Sequence, residues 1–150
     1  MTSKKPRIGR SADAPILGET GPLVLIVDDV QDNRTIYVLF LKFSGFRIAE
    51  AENGEDAIEK ATTLLPDVIV MDLSLPVMDG WEATRRLKRD PRTKKIPVVA
   101  LTGHALPEHA RAASQAGCDL VITKPCLPDQ LMEALRRILD APKAQPKSGR

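Results

Sequence analysis

The 150-residue chain is 43% hydrophobic, too apolar for a disordered polymer, and with only 3% aromatic residues its core must be aliphatic. The formal net charge of +2 is unevenly spread: residues 1–21 carry four basic and two acidic side chains and residues 141–150 three basic ones, leaving 22–140 at about −3, which speaks against a nucleic-acid-binding body. The N-terminus has no apolar signal region and the longest apolar runs, LVLIV and VLFL, are far too short to span a bilayer, so a cytoplasmic protein without membrane contact is expected.

Residues 1–21 read as a flexible basic leader, 22–140 as one domain and 141–150 as a disordered tail. The first strand is Leu23–Val27. A helix over about Asp32–Ser44 follows, with Asp32 as its cap, Ile36, Leu39, Phe40 and Phe43 at helical spacing, and Gly45 as its stop. Phe46–Glu50 is a strand whose charges place it at an edge. The next helix, about Glu55–Leu65, puts Ala57, Ile58, Ala61, Leu64 and Leu65 on one face and ends at Pro66. Val68–Met71 is a wholly apolar strand, and a third helix, about Gly80–Arg89, stops before Pro91. Strand Val98–Leu101 is again apolar. Helix Pro107–Ala116 ends at Gly117, strand Leu120–Ile122 follows, and the last helix, about Pro128–Leu139, turns Leu131, Leu135, Ile138 and Leu139 inward.

Five strands alternate strictly with five helices. Strands lacking polar alternation are buried on both faces, as parallel strands are, and alternation implies βαβ crossovers, hence an α/β fold with helices on both faces of a parallel sheet. Polar residues stand where the apolar runs end: Asp28–Asp29, Asp72, Thr102 and Lys124–Pro125. Each alone reads as a turn or a cap. In a parallel sheet, however, all strand C-termini share one edge, where ligands of open α/β sheets bind. Residues 44, 30 and 22 positions apart then converge.

The set suits phosphoryl transfer. Crowded carboxylates repel unless a cation neutralises them, and oxygen-only ligands select a hard metal such as Mg²⁺, with Mn²⁺ as a substitute. Lysine supplies a compact positive charge for a phosphoryl oxygen and the threonine hydroxyl a donor. A carboxylate can itself accept the group as an aspartyl phosphate.

The segments LVLIVDDVQDNR, AENGEDAI, PDVIVMDLSLPVMDGWEATRRLK, IPVVALTGHA and AGCDLVITKPC resemble response-regulator receiver domains over roughly residues 22–140. The resemblance implies a flavodoxin-like, doubly wound five-stranded sheet of order 2-1-3-4-5, the order that a chemotaxis response regulator exemplifies. It implies Asp72 as phosphoacceptor, Asp29 as a direct Mg²⁺ ligand, Asp28 positioning the ion through water, and the backbone carbonyl of Ser74 completing the metal set. Thr102 would engage the phosphoryl group and Lys124 would pair with one of its oxygens, across a cis Lys124–Pro125 bond. Asp79–Gly80 would shape the loop after the acceptor, and Gly103 would leave the site open. The family often has an aromatic residue three before the lysine. Here it is Val121, so switching is expected instead from shifts between about Gly103 and Ala116.

The expected function is therefore a phosphoacceptor module of a two-component or phosphorelay pathway, with slow autodephosphorylation and no other enzymatic activity. Its donor would be a histidine kinase or a histidine phosphotransfer protein. Its output would be a downstream protein bound through the fourth helix, last strand and fifth helix. A receiver cut from a longer hybrid kinase is the alternative within signalling. A hydrolase with an Asp nucleophile would want an acid at position 74, where Ser74 stands, and a dinucleotide-binding domain would want glycines where Asp28–Asp29–Val30 follow the first strand. Ser74 and His104 are read as candidates for tuning attack of water on the acyl phosphate. Cys118 and Cys126, eight apart, fit neither a redox pair nor a zinc half-site. Trp81 is expected to pack against the third-helix region, and the basic run 88–95 to form a solvated loop at the far end of the sheet.

Overall fold

The computed structural model describes residues 20–73, 80–103 and 107–140. Most of the expected leader, the tail, Ser74, Asp79 and His104 lie outside the described residues. The elements run β1 (Leu23–Val27), α1 (Gln31–Phe43), β2 (Arg47–Ala51), α2 (Gly54–Leu64), β3 (Val68–Asp72), α3 (Gly80–Arg89), β4 (Val98–Thr102), α4 (Pro107–Ala116), β5 (Leu120–Thr123) and α5 (Pro128–Asp140). The five strands form one parallel sheet of order β2-β1-β3-β4-β5, the doubly wound arrangement that strict alternation and the family resemblance both implied. The charged strand β2 is at an edge, and β3 and β4 are buried along their whole length.

Side chains alternate across the pleat, so each central strand feeds two cores. Leu25, Val27, Ile69, Met71, Val98 and Ala100 face α2 and α3, whose Ala57, Ala61, Ala83 and Leu87 cover them. Val24, Ile26, Val68, Val70, Val99 and Leu101 face the other way, under Val38 and Leu41 of α1 and Leu131 and Leu135 of α5. Trp81 packs against the first of these cores, as its place at the start of the third helix suggested.

Two expectations about α1 are corrected. Its inward face is Val38 and Leu41, with Tyr37 and Phe40 packed beside them, whereas Ile36, Leu39 and Phe43 are 56%, 64% and 75% exposed. The helix carries two apolar stripes at helical spacing, and periodicity cannot tell which one the crossover turns toward the sheet. Nor is Asp32 the cap. The N-cap residue is Val30, which makes no side-chain capping bond. The turn is instead closed by the Asp28 carboxylate, which accepts from the Val30 N–H at 2.9 Å. Asp32 sits in the first helical turn, where a negative charge suits the helix dipole.

At α2, Ala57 and Ala61 are buried and Ile58 packs beside them, but Leu64 and Leu65 are exposed. Leu65 adopts a left-handed conformation (φ 49°) that turns the chain out of the helix. Gly45, at φ 102°, ends α1 as expected, in a backbone region that side chains rarely enter.

In the basic run 88–95, Arg89, Arg92, Lys94 and Lys95 are exposed, as a solvated segment requires, and Lys88 is the exception. Lys88 is only 19% exposed. Its ammonium donates to the carbonyls of Lys94 (3.3 Å) and Ile96 (2.8 Å) and to the Asp119 carboxylate (3.0 Å). That carboxylate also accepts from the Val98 N–H at 2.8 Å. One ammonium thus joins the end of α3 to the starts of β4 and β5.

Candidate phosphoryl-transfer site

Register brings the polar strand ends together. Val27 is level with Ala51 on one side and Met71 on the other, Asp72 with Leu101, and Thr102 with Thr123. Backbone bonds extend the ladder one step beyond: Asp28 N–H to Ala51, Leu73 N–H to Leu101 and Lys124 N–H to Thr102 (2.7 Å). The residues after each strand are therefore held in nearly the same plane.

There, Asp28, Asp29 and Asp72 each present a carboxylate oxygen, all within 4.8 Å of one another. Asp28 and Asp72 are 3% and 4% exposed, and Asp29 is exposed. The Lys124 ammonium lies 3.4 Å from an Asp72 oxygen. Thr102, 3% exposed, is the last residue of β4. Five side chains expected from the sequence to share one site thus stand on the same edge. The Lys124–Pro125 bond is cis, as the resemblance implied.

The electrostatics favour a cation. Burial, the largest influence, pushes the Asp28 carboxyl above its ordinary value. Asp72 and Asp29 push it the same way, while the Val30 N–H and Lys124 pull it down. The geometry is what a hard divalent ion would relieve: among the described residues the cluster is three carboxylates, with Asp29 exposed to solvent.

One glycine makes room, and a second faces open space. A Cβ on Gly80 would collide with the Asp72 carbonyl oxygen and the Leu73 Cα, so only glycine lets α3 begin against the end of β3. A Cβ on Gly103 would meet nothing within 4 Å. That residue borders a cleft of about 530 Å³ shared with Asp28, Asn33, Tyr37, Lys124 and Leu127.

Two supporting residues were missed in the sequence. Arg34, on the first turns of α1, donates to the Asp28 carbonyl (2.5 Å) and to Glu50 on β2 (3.0 Å), fixing the backbone that carries the acid pair. Tyr37, one turn on, donates its hydroxyl to the Cys126 carbonyl at 2.7 Å, tying α1 to the loop that begins with Lys124. Burial raises its phenol above the ordinary value, so at neutral pH it stays a donor. Both contacts join distant segments and leave no local pattern to read. Cys118 and Cys126 are free, and burial raises both thiols, consistent with reduced, unreactive residues.

Residues 24–136 match the model of the response regulator receiver domain. The chain belongs to this receiver-domain family. It is 33% identical over 116 residues to the polar-differentiation response regulator DivK of Brucella anthropi, covering 77% of this chain and 94% of that one. It is 36% identical over 119 residues to the phosphate regulon transcriptional regulatory protein PhoB of Pseudomonas aeruginosa, covering 79% of this receiver but only 52% of PhoB, so it spans about half of that relative's length. Among solved structures, the receiver domain of the sensor histidine kinase PA1611 from Pseudomonas aeruginosa PAO1 superposes with a TM-score of 0.74 at 32% identity. The match covers 80% of this chain and 98% of that one, and that structure holds a magnesium ion in its active-site cleft. CheY4, a chemotaxis response regulator of Vibrio cholerae, gives 0.75 at 30% identity, over 79% of this receiver and 99% of CheY4. Among the described residues, no helix is long and apolar enough to cross a membrane.

Proposed function

We propose that this receiver takes a phosphoryl group onto the Asp72 carboxylate from a phosphohistidine donor, with a magnesium ion as cofactor. The observation that carries the reading is the grouping of three carboxylates within 4.8 Å, with the Lys124 ammonium 3.4 Å from Asp72. Asp28, Asp29, Asp72 and the Ser74 carbonyl would hold Mg²⁺, or Mn²⁺ in its place. When bound, the ion neutralises the acid cluster and the phosphoryl oxygens.

The chain's own groups do the rest. A carboxylate oxygen of Asp72 forms the new O–P bond as the P–N bond to the donor imidazole breaks. The bonding pair leaves with the imidazole nitrogen. Lys124 pairs with a phosphoryl oxygen, and the Thr102 hydroxyl donates to another. Arg34 and Tyr37 position the segments that carry Asp28 and Lys124. Catalysis of this kind is placement and charge neutralisation rather than acid–base chemistry. Slow attack of water on the acyl phosphate, tuned by Ser74 and His104, returns the carboxylate and inorganic phosphate.

The donor is a histidine kinase or a histidine phosphotransfer protein. The output is contact with a downstream protein through α4, β5 and α5, drawn by a population shift once phosphate favours one conformation. Val121, packed against the core beside Ala100, replaces the usual aromatic, so the shift falls to the segment from Gly103 to Ala116. The working unit is 22–140, flanked by the leader and tail, in the cytoplasm and without nucleic-acid or membrane contact.

Intact-mass measurement after acetyl phosphate and Mg²⁺ treatment tests the proposal. One phosphoryl group should add to the wild type and none to Asp72→Asn. Equal labelling of both, or none of the wild type, would refute it.

A further inference from the structure

We propose that the basic leader docks on α2 of its own chain, with Pro15, Ile16 and Leu17 covering the apolar end of that helix and Lys4, Lys5, Arg7 and Arg10 lying along its acidic outer side. The row that buries Ala57 and Ala61 in the core continues, at the next helical spacing, to Leu64. Leu64 is 45% exposed, and Leu65, in the left-handed turn that follows, is 56% exposed. A core-facing stripe thus runs on into solvent through two adjacent leucines. The leader sets out beside them. The Leu23 N–H donates to the carboxylate of Asp67, two residues past Leu65, at 2.7 Å, and the Gly21 carbonyl accepts from Arg47 at 2.9 Å. The chain before Gly21 therefore departs from the same pole of the sheet. Leu17 precedes Leu23 by six residues, a tether of at most about 20 Å, and closes the apolar stretch APIL at 14–17. The C-terminal tail, APKAQPKSGR, has no apolar side chain larger than proline. So short a tether sets an effective concentration on the order of mM, which populates even a small contact.

Charge sets the direction. Phe43, near the end of α1, is another exposed apolar side chain at this pole. Its surroundings are basic: Lys42 and Arg47 are exposed, and the exposed Arg136 donates to the Ser44 carbonyl at 3.0 Å. A leader with four basic and two acidic side chains is repelled there. The outer side of α2 is acidic. Glu55 and Glu59 are exposed one turn apart, and Glu52 is exposed just before the helix. The one cation of α2, Lys60, is held by Asp56 at 3.5 Å and by the Glu50 carbonyl. From Leu65 back to Glu55 is about 15 Å along the helix. Residues 4–10 span that distance once Ile16 and Leu17 are seated. The inference stands on exposure, tether length and charge, and does not require Asp72 to be a phosphoacceptor.

NMR on the full chain tests it. Methyl NOEs should connect Ile16 and Leu17 with Leu64 and Leu65, and should persist on tenfold dilution, as a tethered contact requires. Ile16→Asp with Leu17→Asp, both before the receiver domain, should abolish those NOEs. The same pair should shift the amide resonances of Leu64, Leu65 and Asp67 and leave those of Phe43 and Ser44 in place. Glu55→Lys with Glu59→Lys should move the amide resonances of residues 4–10 to the positions they take in about 0.5 M salt, where charge attraction is screened. Adding Arg7→Glu with Arg10→Glu to that variant should restore part of the docked shifts. Circular dichroism controls for folding. Absence of the NOEs, NOEs to Phe43 in their place, leader resonances indifferent to the α2 substitutions, or no recovery in the charge-exchanged variant would overturn the proposal. So would NOEs seen only between differently labelled chains in a mixed sample, which would assign the leucines to the leader of a second copy.

Discussion

Replacing Asp28 by Asn removes one of three carboxylates crowded within 4.8 Å, and without divalent metal it should make the protein more stable. At about 5 Å and an effective dielectric near 20, each like-charged pair costs about 3 kcal/mol. Solvent screens Asp29, which is exposed, and Lys124 repays part of the remainder. The amide oxygen of Asn still accepts from the Val30 N–H, but losing the charge on that bond costs about 1 kcal/mol. The balance is a gain of about 1–2 kcal/mol, or roughly 5 °C in melting temperature for a domain of this size. The pH dependence has a definite sign. Burial, followed by its acidic neighbours, raises the Asp28 carboxyl above its ordinary 3.8. The native state therefore binds the proton more tightly than the unfolded chain. The cost of the charge is fully present above the raised value and gone below 3.8. The variant's advantage should be greatest at neutral pH and fade as pH falls through that window. Magnesium should reverse the order: at a hundredfold over its Kd it adds about 2.7 kcal/mol to the wild type, and much less to the variant. Urea and thermal melts in EDTA and in Mg²⁺, at neutral and acid pH, measure all of this. An Asp28→Asn protein less stable than wild type in EDTA at pH 7 would refute the reasoning.

Gly80→Ala would drive a methyl group into the Asp72 and Leu73 backbone. It should cost about 2–3 kcal/mol in urea denaturation and reduce acetyl phosphate labelling of Asp72, whereas a change within 0.5 kcal/mol would mean that α3 can move away freely. Tyr37→Phe removes the bond to the Cys126 carbonyl. It should lower stability by about 1 kcal/mol and weaken beryllofluoride binding several-fold, read by titration NMR, because the loop carrying Lys124 loses a tether; unchanged binding would show that the tether does not position the lysine.

The polar edge of the sheet was legible because its residues end apolar runs. Asp28, Asp72, Thr102 and Lys124 each follow a stretch of aliphatic side chains, and a parallel sheet leaves only one place for such ends to meet. What was not legible was relational. Helix α1 has two apolar stripes, and choosing between them requires knowing where α5 and the sheet lie. Arg34 reaches Asp28 and Glu50, and Tyr37 reaches Cys126, 89 residues away. Contacts of that range depend on the assembled fold and leave no trace in spacing. The capping of α1 failed as an expectation for a related reason: the acidic residue that closes the turn is Asp28, which lies before the helix and is also one of the three clustered carboxylates.

The ammonium of Lys88 shapes where motion can occur. By gripping the end of one helix and the starts of two strands, it clamps the sheet at the pole farthest from Asp72. A tuning fork held at its stem vibrates only at the tines. Here the stem is the pair of starts of β4 and β5, and the tines are their far ends, which carry Thr102 and lead into Lys124.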